Sequence, residues 1–283
     1  MSVAVALLLG AVQGLTEFVP VSSTAHLYIV QTLLGIPNDE VALSFDVVLH
    51  LGTALALTLV FARELKTMAQ EALLFLAGRP ARDPLARGLL LPLLAGTIPG
   101  ALAGIFLLKR IESVRTLGLI GLSMVAAGVY FLWAEWSGSR KVRERELATL
   151  TLADAIWIGI AQAAAGLMAG FSRSGLTIST GRLRGLARPE AARFSFLLAL
   201  PIILGAGAKA LLDLRKAHEP YVGGAALAAG FLASAIVGFV AVRFLLRFLR
   251  SHTLKPFAVY LGLLGLVLLG VSLVRHLPIL AGS

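Results

Sequence analysis

Apolar residues in this chain come in long blocks, and the length of each block limits what it can become. Six blocks, Val41–Ala62, Gly88–Leu107, Thr116–Ala134, Pro189–Leu212, Val222–Leu246 and Pro256–Val274, approach or exceed the roughly 20 residues a helix needs to cross a bilayer. They predict six transmembrane helices. Two other regions are built differently. Residues Val3–Pro37 and Leu152–Leu186 each carry apolar arms of about ten residues, too short to span. A polar stretch interrupts each, Gln13 to His26 in the first and Gly170 to Thr177 in the second. Short arms around a Ser/Gly-rich break predict re-entrant helical hairpins. Irregular backbone of that kind is tolerated at membrane depth only where protein or a cavity surrounds it.

The two odd regions also match each other. At an offset of 149, Gly10 meets Gly159, Gln13 meets Gln162, Ser23 meets Ser172 and Phe45 meets Phe194. Each half then holds one hairpin and three spans. An odd number of crossings puts the second half into the membrane upside down, which is the inverted-repeat plan of many transporters, with the working site where the repeats meet. The expected architecture is all-α and polytopic: one integral membrane domain over 1–283, with a first repeat over 1–134 and a second over 152–276.

Charge supports this topology. Seventeen of the 25 Lys and Arg residues fall on one side of the expected membrane, from Arg63 and Lys66 through Arg140-Lys141-Val142-Arg143 to Lys255. Seven, among them Lys109, Arg110 and Arg115, fall on the other. The richer side is expected in the cytoplasm. Both termini and the mouth of the first hairpin then face outward, and the second hairpin opens inward. The formal net charge of +10 is therefore read as loop charge rather than as a nucleic-acid surface. The chain is 58% hydrophobic and 14% charged, where a soluble domain carries about 25% charged residues. It has no cysteine, which excludes disulfides and thiolate metal sites. The N-terminus lacks a basic stretch, so no cleaved signal peptide is expected.

Candidate chemistry lies in the two polar interruptions. Gln13 and Glu17 are four residues apart and share a helix face. An ionisable residue within an apolar segment is a functional candidate by default, and a carboxylate beside an amide oxygen suits a hard cation such as Mg²⁺ or Ca²⁺. Pro20 ends the first arm, and Ser22, Ser23 and Thr24 could cap a restarted helix or present its N-terminus to an anion. His26 could act as a general base toward a neighbouring hydroxyl, or could simply pack. In the second interruption Arg173 is the one cation outside the loops. An arginine at membrane depth needs a partner, and Glu17 is the obvious internal one. Its fork also matches phosphate oxygens. Ser172, Ser174 and Thr177 add donors, and Gly170 and Gly175 permit close backbone approach. Asp46 and His50, four apart in the first full span, could line the site or pair with each other. Gln162 could serve as an outer donor.

These residues resemble the bacitracin-resistance family of undecaprenyl-pyrophosphate phosphatases. That family carries (Glu/Gln)-x-x-x-Glu followed by Pro-x-Ser-Ser-Thr-x-His, which here reads Gln13…Glu17 and Pro20-Val21-Ser22-Ser23-Thr24-Ala25-His26. It also carries Pro-Gly-x-Ser-Arg-Ser-Gly-x-Thr, matched by residues 169–177 with Ala169 in place of the proline. The stretches beginning at Phe45 and Ala191 are similar too. The resemblance covers essentially the whole chain. It implies six spans with two hairpins, hydrolysis of undecaprenyl pyrophosphate to the monophosphate, dependence on a divalent cation, recycling of the lipid carrier for peptidoglycan synthesis, and bacitracin resistance.

The residues alone are compatible with phosphoryl transfer, which needs charge neutralisation and a positioned nucleophile. The expected roles are Ser23 as nucleophile, with His26 or Glu17 as base. Arg173 and a cation on Glu17 and Gln13 would hold the phosphates, and Ser22, Thr24, Ser172, Ser174 and Thr177 would bind phosphate oxygens. His26 as nucleophile, or as base for direct attack by water, is the alternative. The expected partners are a polyprenyl pyrophosphate lipid and the bilayer, with a homodimer open and no nucleic acid. The location is the bacterial cytoplasmic membrane, the site open to its outer face. The competing function is a polyprenyl-phosphate flippase or ion-coupled transporter, which would need the same Arg and Ser residues but no nucleophile–base pair.

Overall fold

A computed structural model of the chain describes residues 1–37, 40–106, 116–140, 144–216 and 222–276. Among these residues the chain is all-helical, with a single isolated β-bridge between Arg145 and Leu186. Eleven helices follow in order: α1 (Val3–Phe18), α2 (Ser23–Leu33), α3 (Glu40–Val60), α4 (Ala62–Leu76), α5 (Pro84–Phe106), α6 (Leu117–Ser139), α7 (Leu152–Leu167), α8 (Arg173–Leu183), α9 (Arg188–Lys216), α10 (Gly224–Phe248) and α11 (Lys255–His276). Six stretches are long and apolar enough to cross a bilayer: Ala42–Val60, Pro84–Phe106, Leu117–Ser139, Arg188–Lys209, Gly224–Phe248 and Lys255–Val274. They coincide with the six expected blocks to within a few residues at each end. Leu107, Lys109, Arg110, Arg115, Lys141 and Arg143, used in the sequence argument, lie outside the described residues.

One helix was not anticipated. The sequence reads Arg63 and Lys66 as loop charge after the span, but the chain bends at Phe61 and continues as α4. Buried Met68 and Glu71 mark the inner face of this helix, while Leu73, Phe75 and Leu76 are exposed. Glu71 accepts from the backbone N–H groups of Arg82 and Asp83 and from Arg87 Nε, which pins the turn into α5.

The short apolar helices α1 and α7 are each 16 residues long and lie 149 residues apart. Each packs on a span from the other half, α1 against α10 and α7 against α5. Both contacts run backbone to backbone. A Cβ at Gly10 would strike the carbonyl oxygen of Gly230, and one at the matching Gly159 would strike that of Gly96. Small residues allow this approach, and in a bilayer close packing of helix backbones replaces the hydrophobic drive available in water. The outward faces of the spans stay apolar, with Leu94 and Ile105 on α5 and Leu263 and Val267 on α11 exposed. Polar residues turn inward instead: Gln13, Glu17, Ser23, Gln162, Ser172 and Thr177 are all buried.

Candidate active site

The site forms where two helix breaks meet. In the first, the residue before Pro20 is disfavoured in the helical region, so α1 stops at Phe18 and Val19 turns extended. The chain then passes through Ser22 at φ 71°, the only positive φ at a non-glycine position among the described residues. That conformation costs about 1–3 kcal/mol and persists only where its surroundings enforce it. Here the Ser22 hydroxyl donates to the carbonyl of Ala169 in the other break at 2.9 Å, and it also caps α2 by accepting from Ala25 N. The second break leaves α7 at Met168 and restarts as α8 with Ser172 accepting from Gly175 N.

The two breaks differ by one residue. Helices α1 and α7 are related by 149, but the capping serines Ser22 and Ser172, and the 11-residue helices they start, are related by 150. The constant offset read from the sequence therefore slips by one at the break, and Arg173 takes the position that Ser23 holds in the first half. Both of these first-turn residues reach the same carboxylate. Arg173 Nη2 donates to Glu17 Oε1 at 2.8 Å, and Ser23 Oγ donates to Glu17 Oε2 at 2.6 Å. Gln13 Nε2 donates to Oε2 at 3.0 Å. The ion pair that membrane depth demands of Arg173 is present.

His50 on α3 completes the carboxylate's surroundings, with Nε2 3.5 Å from Glu17 Oε2. Its Nδ1 lies 2.7 Å from the backbone oxygen of Asp46, so Nδ1 carries a proton. The sequence marked His50 as a residue that could line the site but gave no measure of its approach to Glu17.

These groups open onto a cavity of about 270 Å³. Glu17, Ser23, Thr24, His50, Gln162, Ser172 and Arg173 line it together with apolar residues that include Ala103, Phe171, Ile202, Ile203 and Ala206. Arg173 Nη1 and Gln13 Oε1 are buried without a protein partner.

Other candidates take different places. His26 turns to α11: its Nδ1 donates to Ser22 O at 2.8 Å, and its Nε2 lies 2.7 Å from the hydroxyl of Tyr260, on whose ring it stacks. It does not line the cavity. Thr177 donates into the Arg173 and Ser174 carbonyls and contacts Ser195, while Ser174 pairs with Ser172. Both hydroxyls are engaged at the start of α8 and, for Thr177, against Ser195 of α9. Gly170 and Gly175 do permit close approach, but to α6: a Cβ at Gly170 would strike Ile120 O, and one at Gly175 the ring of Phe131. Ala169 forms the second bend without a proline and contributes its carbonyl to Ser22.

The family model for bacitracin resistance protein BacA matches residues 6–267. Proteins named undecaprenyl-diphosphatase are similar along nearly their whole length. The one from Rubrobacter xylanophilus is 44% identical over 257 residues, covering 90% of this chain and 93% of its own. That from Pelobacter propionicus is 42% identical over 275 residues, covering 94% and 98%. That from Moorella thermoacetica is 39% identical over 279 residues, covering 98% and 100%. With a match of that extent, and the motif residues of both breaks gathered on Glu17, the chain belongs to the bacitracin resistance protein BacA family.

Proposed function

We propose that this chain hydrolyses undecaprenyl pyrophosphate to undecaprenyl phosphate and inorganic phosphate, returns the lipid carrier to cell-wall synthesis, and so confers resistance to bacitracin. The family and the names of its relatives support the reaction. One observation supports its placement: a hydroxyl, a carboxylate and an arginine with an N–H lacking a protein partner meet at a cavity whose lining is otherwise largely apolar.

The chemistry follows from these contacts. Arg173 keeps Nη2 on Glu17 and offers Nη1 to phosphate oxygens, and Ser172 and Thr24 stand beside it at the cavity. Ser23 Oγ attacks the terminal phosphorus while its proton passes to Glu17 Oε2. The bond from that phosphorus to the bridging oxygen breaks, and its electron pair leaves with undecaprenyl phosphate. Water then attacks the phosphoserine. The serine oxygen departs, recovers the proton held on Glu17, and inorganic phosphate is released. We assign the base role to Glu17 rather than His26 because the serine hydroxyl already donates to it. His26 holds the break from behind through Ser22 O. Ser174 and Thr177 shape the start of α8 so that Arg173 meets the cavity.

The donor set fits a divalent cation brought in with the substrate. Among the described residues no three His, Cys, Asp or Glu side chains gather as a metal site. The Glu17 carboxylate and the unpartnered Gln13 Oε1, on side chains joined by a hydrogen bond, are the oxygens the site offers. Mg²⁺ is commonly held by one or two carboxylates together with substrate phosphates and water, whereas Ca²⁺ takes six to eight oxygens. Glu17 and Gln13 would hold the ion, which would supply charge neutralisation to the pyrophosphate.

The meeting of the two breaks, with each short arm packed on a span of the other half, supports re-entrant hairpins in an inverted repeat. Both termini then lie outside the cytoplasmic membrane and the site opens to its outer face. A homodimer is one assembly open to the chain, and the mass of the protein in detergent tests it.

The test is phosphate release from a polyprenyl pyrophosphate by the purified protein, with and without EDTA, beside Arg173→Ala. Metal-dependent release that Arg173→Ala abolishes supports the hydrolase. Lipid binding by folded protein with no release under any divalent cation points to a flippase instead.

A further inference from the structure

Gln162 stands at the repeat position of Gln13, but its surroundings are inverted. On α1, Gln13 reaches the residue four positions on, Glu17, and gives it a hydrogen bond. On α7 the matching residue four positions on is Gly166. That glycine has no atom within 4 Å of where a side chain would begin, so the volume filled by Glu17 in the first half is open in the second. Gln162 is 3% exposed, and neither its amide nitrogen nor its amide oxygen meets a protein partner. It lines the same cavity as Glu17, Ser23 and Arg173. Its Nε2 packs close to Gly100: a Cβ there would come within 3.2 Å of that nitrogen.

Buried polar groups in native proteins are paired, and a cavity-lining side chain whose two amide atoms have no protein partner calls for one from a bound ligand. Two N–H donors without protein partners, Gln162 Nε2 and Arg173 Nη1, border one cavity. Two such donors on residues lining one cavity suit an oxyanion. Resting on the hydrolase reading above, we infer that Gln162 is a further phosphate-binding residue, whose amide N–H donates to a phosphoryl oxygen of the pyrophosphate head group. Substitution of Glu17 by glycine in the second repeat leaves room for that head group, while conserving the amide at this point of the fold supplies a second hold on it.

The experiment uses Gln162→Leu, which keeps the volume and removes the amide, and Gln162→Glu, which sets a carboxylate against the phosphate. Kinetics on farnesyl pyrophosphate are compared with thermal unfolding in the same detergent. A hydrogen bond to a charged group is worth roughly 10- to 100-fold in affinity. KM is expected to rise by about that factor in Gln162→Leu and further in Gln162→Glu, with kcat little changed. The unfolding temperature of Gln162→Leu is expected to hold or rise, because no protein partner loses a bond; a purely structural glutamine would lower it. Inhibition by inorganic phosphate and by farnesyl monophosphate separates the two phosphoryl groups. Weaker inhibition by the first places Gln162 on the terminal group, and weaker inhibition by the second places it on the ester group. Wild-type KM and wild-type inhibition in both variants overturn the inference while the hydrolase stands. If the wild type releases no phosphate, the hydrolase reading fails, and calorimetric binding of inorganic pyrophosphate still decides Gln162: equal affinity in wild type and Gln162→Leu overturns the role.

Discussion

Ser23 Oγ sits 2.6 Å from Oε2 of Glu17, within donating distance although the two residues belong to different helices on either side of a proline break. Arg173 holds the other oxygen of the same carboxylate at 2.8 Å. The serine hydroxyl therefore has an acceptor for its proton before substrate arrives, and the acceptor is fixed in place by a cation from the opposite break.

That arrangement makes Ser23 and Glu17 one unit. Residues that act as a unit are strongly non-additive. Ser23→Ala and Glu17→Gln should each lower kcat on a polyprenyl pyrophosphate by about 10³-fold or more, and the double variant by little beyond either alone. A double-variant loss near the product of the two single losses would show independent roles. Acid-quenched protein should carry phosphate on Ser23, and phosphate trapped on any other side chain would refute the assignment.

His26 is expected to act through position. Its ring donates to the carbonyl of Ser22, the residue held at φ 71°. His26→Ala should lower kcat by about 100-fold, within the range of displaced catalytic groups. Added imidazole should not restore it, since a free ring cannot hold the break in place. Rescue by imidazole would instead mark His26 as an acid–base group, whose typical contribution is about 10²–10⁴-fold.

The two glycines of α7 should respond in opposite ways. Gly159 lies against the backbone of Gly96, whereas nothing lies within 4 Å of a Cβ at Gly166. Gly159→Ala should destabilise the protein by about 1–3 kcal/mol through overpacking. Gly166→Ala should hold or gain up to about 1 kcal/mol from helix propensity. Unfolding of the two variants in detergent checks the contrast, and equal losses would contradict the packing of α7 on α5.

Asp154, in the first turn of α7, gives a pH-dependent term. Burial pushes its carboxyl up, but hydrogen bonds from Arg184, Thr151 and Arg145 outweigh that and hold the pKa at about 2, below the ordinary 3.8. A lowered folded-state pKa means that the stabilisation is present above about pH 4 and is lost as pH falls toward 2. Both arginines keep about a third of their side chains in solvent, so the term is roughly 2 kcal/mol rather than the 3–5 kcal/mol of a fully buried pair. Asp154→Asn should lower the unfolding temperature at pH 6 and flatten its decline between pH 4 and pH 2. An unchanged acid limb would assign the decline to other carboxylates.

What the sequence determined by itself follows from the bilayer as solvent. A span must be long and apolar, so the six crossing helices were readable from block length. An apolar arm of about ten residues is too short to span, so both breaks were readable too, as was the pairing of Glu17 with Arg173, because a charge inside such a segment requires a partner. Helix α4 was not readable as part of the fold, since its charged first turn looks like a loop and its inner face is defined by what packs on it. Tertiary structure alone decided where short polar side chains point. A serine or threonine can satisfy itself on a carbonyl one turn back or face a cavity, and nothing in its neighbours along the chain chooses; Thr177 turned to its own helix and Ser195, and Ser23 to Glu17. His26 and His50 show the same ambiguity. Each donates Nδ1 to a carbonyl four residues earlier, yet the other nitrogen faces Tyr260 in one case and Glu17 in the other. Local sequence sets the first bond, and only the packing of distant helices sets the second.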